Sequence, residues 1–142
     1  MVRESIAGTL VGSKVHRRED PRILTGRGRY VADISLPGML HAAFVRSPFP
    51  HARIRSIDAQ AARELPGVVA VITGAEMKSF VNPMMGLVSL KGLANPPFYP
   101  LAVDKVRLVG DPVAIVVAET RAIGEDARQM VEVDYEPLQP VA

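Results

Sequence analysis

Val106-Arg107-Leu108-Val109-Gly110-Asp111-Pro112-Val113-Ala114-Ile115-Val116-Val117-Ala118-Glu119-Thr120, continuing through Arg121 to Val131-Glu132-Val133-Asp134-Tyr135-Glu136, decides the fold of this chain. Val113 to Ala118 is an unbroken apolar run rich in β-branched residues, short enough for a strand buried on both faces. Thr120 offers a hydroxyl to cap a helix. Behind it Ile123, Ala127, Met130 and Val131 fall on one helical stripe. The period then becomes two, with Val131, Val133 and Tyr135 on one side and Glu132, Asp134 and Glu136 on the other. A central strand, a covering helix and a half-buried strand make a layered unit of the α+β class.

Working outward, the same signals place further elements. Met39 to Arg46 reads as a strand that Ser47-Pro48-Phe49-Pro50 ends, because each proline removes a ladder donor and holds the residue before it extended. His51 to Ile57 reads as a second strand, with Ala52, Ile54 and Ser56 on one face. Asp58 caps a short helix through Leu65, which Pro66-Gly67 stops. Val68 to Thr73 is a continuous apolar strand, and Ala75 to Phe80 has room for one or two helical turns. Lys105 to Val109 returns to strand. The expected architecture is a mixed β-sheet with two main helices, Asp58–Leu65 and Thr120–Met130. Residues 81–100 hold no period, and a loop of that length in a compact domain is usually functional, disordered or docked on something else. Residues 1–21 read as an extended arm, 22–137 as the folded domain, and 138–142 as a linker.

At 142 residues one domain is expected. The apolar content of 48% is that of an ordinary globular core. With no cysteine, the chain carries no disulfide, thiolate nucleophile or cysteine-ligated iron–sulfur or zinc centre. A cytoplasmic location is compatible with that. The net charge of +2 is small, and its bases are interleaved with acids, as in His16-Arg17-Arg18-Glu19-Asp20, which argues against nucleic acid as a partner. No apolar run approaches the roughly 18–20 residues of a membrane span, so no membrane partner is expected. Arg17-Arg18 is followed by acids and proline rather than an apolar segment, which removes the twin-arginine reading.

The candidate chemistry is sparse. His16, His41 and His51 have no metal-ligand spacing. His51 lies near Arg46, Arg53 and Arg55, which raises an anion site against the ordinary reading of a solvated charged strand face. Glu132, Asp134 and Glu136 share a strand face, and their alternation with Val and Tyr explains them as an outer surface. Gly26-Arg27-Gly28 lacks the third glycine and the helix of a dinucleotide fingerprint. Ser47 and His51 lack the strand–elbow–helix setting of a nucleophile. The residues alone therefore give an α+β domain with no catalytic, cofactor-binding or metal site assigned.

Several stretches, taken in order, resemble the large subunit of the molybdenum hydroxylases: the xanthine dehydrogenase, aldehyde oxidase and carbon monoxide dehydrogenase family. They are Arg18-Glu19-Asp20, Leu24-Thr25-Gly26-Arg27-Gly28-Arg29-Tyr30-Val31-Ala32-Asp33-Ile34 and Leu36-Pro37-Gly38-Met39-Leu40-His41-Ala42. Val45-Arg46-Ser47-Pro48, His51-Ala52-Arg53-Ile54 and Pro66-Gly67-Val68 follow. The last are Val109-Gly110-Asp111-Pro112-Val113-Ala114 and Val131-Glu132-Val133-Asp134-Tyr135-Glu136-Pro137-Leu138. The matching region in the family is its N-terminal a/b hammerhead domain. Pro50 and Gly124 stand where the family usually has a small residue and an alanine.

The resemblance implies a structural part of an enzyme that hydroxylates small substrates oxidatively. Molybdopterin, iron–sulfur clusters and FAD belong to the assembled enzyme, none of them to this chain. The implied partners are the remainder of the large subunit and the iron–sulfur and flavin subunits, with a two-fold homodimer as a further option. Whether the chain is an enzyme fragment, inactive alone, or a stand-alone interaction module that kept the fold stays open at this point. No position matches a catalytic motif of the family.

Overall fold

The computed structural model describes residues 14–84, 86, 92 and 97–140. The chain divides into two compact units, Met1–Pro37 and Gly38–Ala142. In the first, a short helix α1 (Asp20–Leu24) begins at the last two residues of the expected arm and runs on past it. Pro21 sits in its first turn, where a missing N–H costs nothing. The Arg17 N–H donates to Asp20 Oδ2 at 3.1 Å, and Thr25 Oγ1 closes the other end on the Pro21 carbonyl at 2.6 Å. A single 3₁₀ turn, Val31–Asp33, follows, with the Tyr30 N–H held by Asp33 Oδ2 at 2.9 Å. None of the described residues of this unit is buried.

The second unit has two three-stranded sheets. β1 (His41–Arg46), β5 (Pro112–Ala118) and β3 (Val68–Thr73) form one, with β5 in the centre. β4 (Lys105–Val106), β2 (Ala52–Asp58) and β6 (Glu132–Pro137) form the other, with β2 in the centre. The α+β class holds, but the one mixed sheet expected is two sheets, antiparallel in every pairing between the described strands. The reason lies in the deciding stretch. A strand–helix–strand run within one sheet gives parallel neighbours; here β5 lies in one sheet while β6 crosses to pair with β2 in the other.

Register follows the apolar pattern. Ala43, Val116 and Val71 align across the first sheet and are all buried. Helices α2 (Gln60–Glu64) and α4 (Arg121–Gln129) cover that face, joining Ala62 and Ala127 to the same cluster. A second cluster forms around Ala52, Val106 and Val113, and Val45, Ile57 and Val133 pack against both. Leu101, Val106, Val113 and Val116 are the largest side chains fully buried, and burying each contributes about 1.5–3 kcal/mol. The central strand is less symmetric than its apolar run suggested. Ala114, Val116 and Ala118 are buried, while Ile115 and Val117 are half-buried beside the exposed Phe44 and Ala42.

Thr120 caps α4 as read, its Oγ1 accepting from the Ile123 N–H at 3.2 Å. The N-cap of α2 is Ala59 rather than the expected Asp58 and carries no side-chain cap; Asp58, one residue earlier, accepts from the Gln60 N–H through Oδ1 at 2.9 Å in a local turn. Gly67, with φ of +87°, turns the chain into β3. The buried stripe of α4 runs through Gly124, Ala127 and then Val131, leaving Met130 exposed. In β2 a register shift between Ile54 and Ser56 brings Ile57 rather than Ser56 back to the core. The expected turn after β3 is α3 (Gly74–Met77), closed by a reciprocal cap in which Thr73 and Glu76 satisfy each other's N–H.

β4 is two residues long instead of five. Asp111 Oδ2 accepts the Arg107 N–H at 2.9 Å and turns the chain before Leu108 and Val109 can pair. Half of the expected loop over residues 81–100 lies outside the described residues. At its base Met84 and Phe98 exchange two backbone hydrogen bonds, at 2.8 and 3.1 Å.

Candidate functional site

β2 and β4 pair Ala52 with Val106 and Arg53 with Lys105. Ala52 and Val106 are fully buried, so by strand alternation Arg53 and Lys105 lie on the outer face. His51, two residues before Arg53, and Arg107, two after Lys105, flank that pair. The tail following β6 crosses the same corner, where the Leu138 N–H donates to the His51 carbonyl at 2.9 Å. His51 Nδ1 lies 2.8 Å from the Gln139 carbonyl, and Nε2 lies 3.4 Å from Lys105 Nζ. A carbonyl can only accept, so Nδ1 carries the proton. In the neutral ring Nε2 is then the acceptor for the Lys105 ammonium. Pro50, Leu108, Val109 and Pro140 complete a shallow pocket of about 430 Å³ around these cations.

The anion site expected from His51 with Arg46, Arg53 and Arg55 is not assembled as drawn. Arg46 donates to the Gly110 carbonyl at 2.9 Å and lies 5.3 Å from the Phe44 ring centroid. Arg53 and Arg55 both reach Glu136 Oε2, at 3.9 and 3.4 Å. The cations beside His51 are Lys105 and Arg107, more than fifty positions away in sequence, and no local spacing signals them. His16 is exposed in the first unit, and His41 opens β1, half-buried. Among the described residues no three His, Asp or Glu side chains come together in a way that could hold a metal ion.

The other candidates take structural places. Glu132 and Asp134 are exposed on the outer face of β6, as their alternation indicated. Ser47 is 2% exposed, and its hydroxyl accepts from the Phe49 N–H and reaches the Phe49 carbonyl, at 3.0 and 3.1 Å. It therefore pins the Pro48–Pro50 corner. Beneath that corner the Phe49 and Tyr135 rings pack with centroids 5.2 Å apart. The Tyr135 hydroxyl is buried without a hydrogen-bond partner among the described residues. Burial pushes its pKa above the ordinary 10.0 and the Asp111 carboxylate adds to that; the Ser47 contact pulls the other way but falls short of a hydrogen bond. A second hollow of about 480 Å³, between Phe98, Leu101, Leu108 and Asp111, is largely apolar, with Lys78, Asp104 and Arg107 also in its lining. No helix among the described residues is long and apolar enough to cross a membrane.

Comparison with known proteins places this arrangement. The sequence profile described as "Aldehyde oxidase and xanthine dehydrogenase, a/b hammerhead domain" matches residues 25–139. The nicotine 6-hydroxylase large subunit of Paenarthrobacter nicotinovorans is 45% identical over 136 residues, 96% of this chain and 17% of that protein. The carbon monoxide dehydrogenase large chain of Afipia carboxidovorans is 47% identical over 128 residues, 90% of this chain and 15% of that protein. Among solved structures, quinoline 2-oxidoreductase from Pseudomonas putida 86 superposes with a TM-score of 0.78 at 49% identity, covering 90% of this chain and 16% of that one. The chain thus spans about one-sixth of the length of these relatives.

Proposed function

Because the chain belongs to the aldehyde oxidase and xanthine dehydrogenase a/b hammerhead family, we propose that it serves as the N-terminal structural part of a molybdenum hydroxylase large subunit. The observation that carries this reading is the match itself: nearly the whole chain aligns, and it aligns with only 15–17% of each large subunit. Relatives bear names that include a copper- and molybdenum-containing carbon monoxide dehydrogenase and a xanthine dehydrogenase molybdenum-binding subunit. Their cofactor chemistry, with molybdopterin, iron–sulfur clusters and FAD, is assigned to the assembled enzyme. Among the described residues no group of three or more His, Asp or Glu comes together that could hold a metal ion. No chemical step is therefore assigned to its side chains.

The contribution of the chain is packing. An arm of residues 1–21 and a linker of 138–142 would join the folded part to the remainder of the large subunit, in a cytoplasmic assembly with iron–sulfur and flavin subunits. In the first unit Leu24, Tyr30, Val31, Ile34 and Leu36 are 52–86% exposed. Apolar side chains in such number favour a covering surface, either the remainder of the subunit or a second copy of this chain. Molybdenum and iron analysis of the purified chain tests the assignment. Neither metal should be present in stoichiometric amount, and no hydroxylation of nicotine, quinoline or xanthine should be detected. Stoichiometric molybdenum on the isolated chain would overturn the assignment.

A further inference from the structure

We propose that the pocket formed by His51, Lys105 and Arg107 receives a carboxylate side chain from a polypeptide segment that carries an apolar residue beside the acid. The site does not depend on the assembly reading above. Lys105 is half-buried, and no carboxylate lies within 4 Å of its ammonium among the described residues. Its one side-chain partner there is His51 Nε2, at a long 3.4 Å. Two of its three donors remain for a ligand. It also stands directly opposite Arg53 across the β2–β4 pair, a like-charge placement that disfavours the bare sheet edge.

The acids nearby do not relieve this edge. Glu136 lies between Arg53 and Arg55, and Asp104 reaches Arg107 only at 4.0 Å with its side chain 74% exposed. A carboxylate entering beside Lys105 would complete a charge-assisted contact, with the Arg107 guanidinium as a second donor group. The rim decides what carries the acid. Leu108 and Val109 are 56% and 62% exposed, and Pro50 and Pro140 close the sides. A free phosphate leaves that apolar rim uncovered, whereas a Glu flanked by leucine covers it while its carboxylate meets the cations. Because the Gln139 carbonyl fixes the His51 ring through Nδ1, the wall of the pocket is set before the ligand arrives.

The test is a titration of the isotopically labelled chain, followed by NMR at constant ionic strength. The probes are acetate and the capped peptides acetyl-Leu-Glu-Leu-amide and acetyl-Leu-Gln-Leu-amide. The Glu peptide should shift the His51 ring, Lys105 and Arg107 signals saturably, at a concentration about tenfold below that needed for acetate. The Gln peptide should leave them in place. Lys105→Met and the exposed Arg107→Gln should each weaken the Glu peptide about fivefold or more, with unchanged circular dichroism. The proposal is overturned by the absence of a saturable shift, by equal binding of the Gln peptide, or by unchanged binding in both variants. Acetate matching the Glu peptide would also overturn it, since that result describes a free-anion site.

Discussion

Replacing Gly124 with alanine should make this protein more stable. Gly124 is buried in the interior of α4, at a backbone conformation any L residue can adopt. A Cβ built there would sit 3.5 Å from the Ala43 Cβ and 3.7 Å from the Ala118 Cβ, which is ordinary van der Waals contact. Glycine in a helix interior costs roughly 0.8–1 kcal/mol relative to alanine. A newly buried methyl group adds at most about 0.8 kcal/mol. Slight adjustment of β1 and β5 offsets part of this, so the expected gain is about 1–1.5 kcal/mol. For a unit of this size that raises Tm by about 4–8 °C. Urea unfolding followed by circular dichroism measures it, with an unchanged m-value showing that the same surface is exposed. Gly74→Ala is the opposing control. Its Cβ would lie 1.9 Å from the Ala102 carbonyl oxygen, so backbone must move, at a cost of about 1–3 kcal/mol or more. A destabilised Gly124→Ala variant would refute the packing described between α4 and the first sheet.

Tyr135→Phe removes a buried hydroxyl that has no partner among the described residues while keeping the ring contact with Phe49, so unfolding in urea should show it unchanged or up to about 1 kcal/mol more stable. A loss above that size would mean the hydroxyl is engaged after all. Thr120→Ala deletes the cap of α4 and should cost about 1 kcal/mol in the same assay. Glu76 is held below its usual value of 4.5, first by the Thr73 backbone N–H and further by the Thr73 hydroxyl and Arg63, against a partial penalty from burial. Its folded pKa is depressed, so its contribution is present above 4.5 and is lost as pH falls through the lowered folded value. The stability of Glu76→Gln should therefore fall less steeply than that of the parent below about pH 4.5; parallel curves would contradict this.

Local periodicity made much of the second unit legible. β3 spans Val68–Thr73 as its apolar run indicated, and β6 keeps Val133 and Tyr135 inward with Glu132 and Asp134 outward. Thr120 caps α4 as its side chain predicts, while α2 starts one residue after Asp58, at an Ala59 N-cap. What escaped the sequence depends on pairing across distance. The division into two sheets follows from which strand β6 joins, and a period of two cannot encode that choice. The shift after Ile54 reverses one face of β2 without any glycine to announce it. β4 is cut short by the Asp111 side chain, which reads as an ordinary turn residue in Gly110-Asp111-Pro112. The meeting of His51 with Lys105 has the same origin, because only the pairing of β2 with β4 brings them together. The family resemblance reached further than the individual residues because an ordered set of weak motifs is specific where each motif alone is not.

The central claim is that this chain can take the structural place of the matching segment in a molybdenum hydroxylase large subunit. The direct measurement is molybdenum content and turnover of the Paenarthrobacter nicotinovorans nicotine 6-hydroxylase after its matching segment, 45% identical over 136 residues, is replaced by this chain. The account predicts an assembled, molybdenum-loaded enzyme that hydroxylates nicotine, while deletion of the segment abolishes assembly. A replacement enzyme that fails to assemble as completely as the deletion would contradict it.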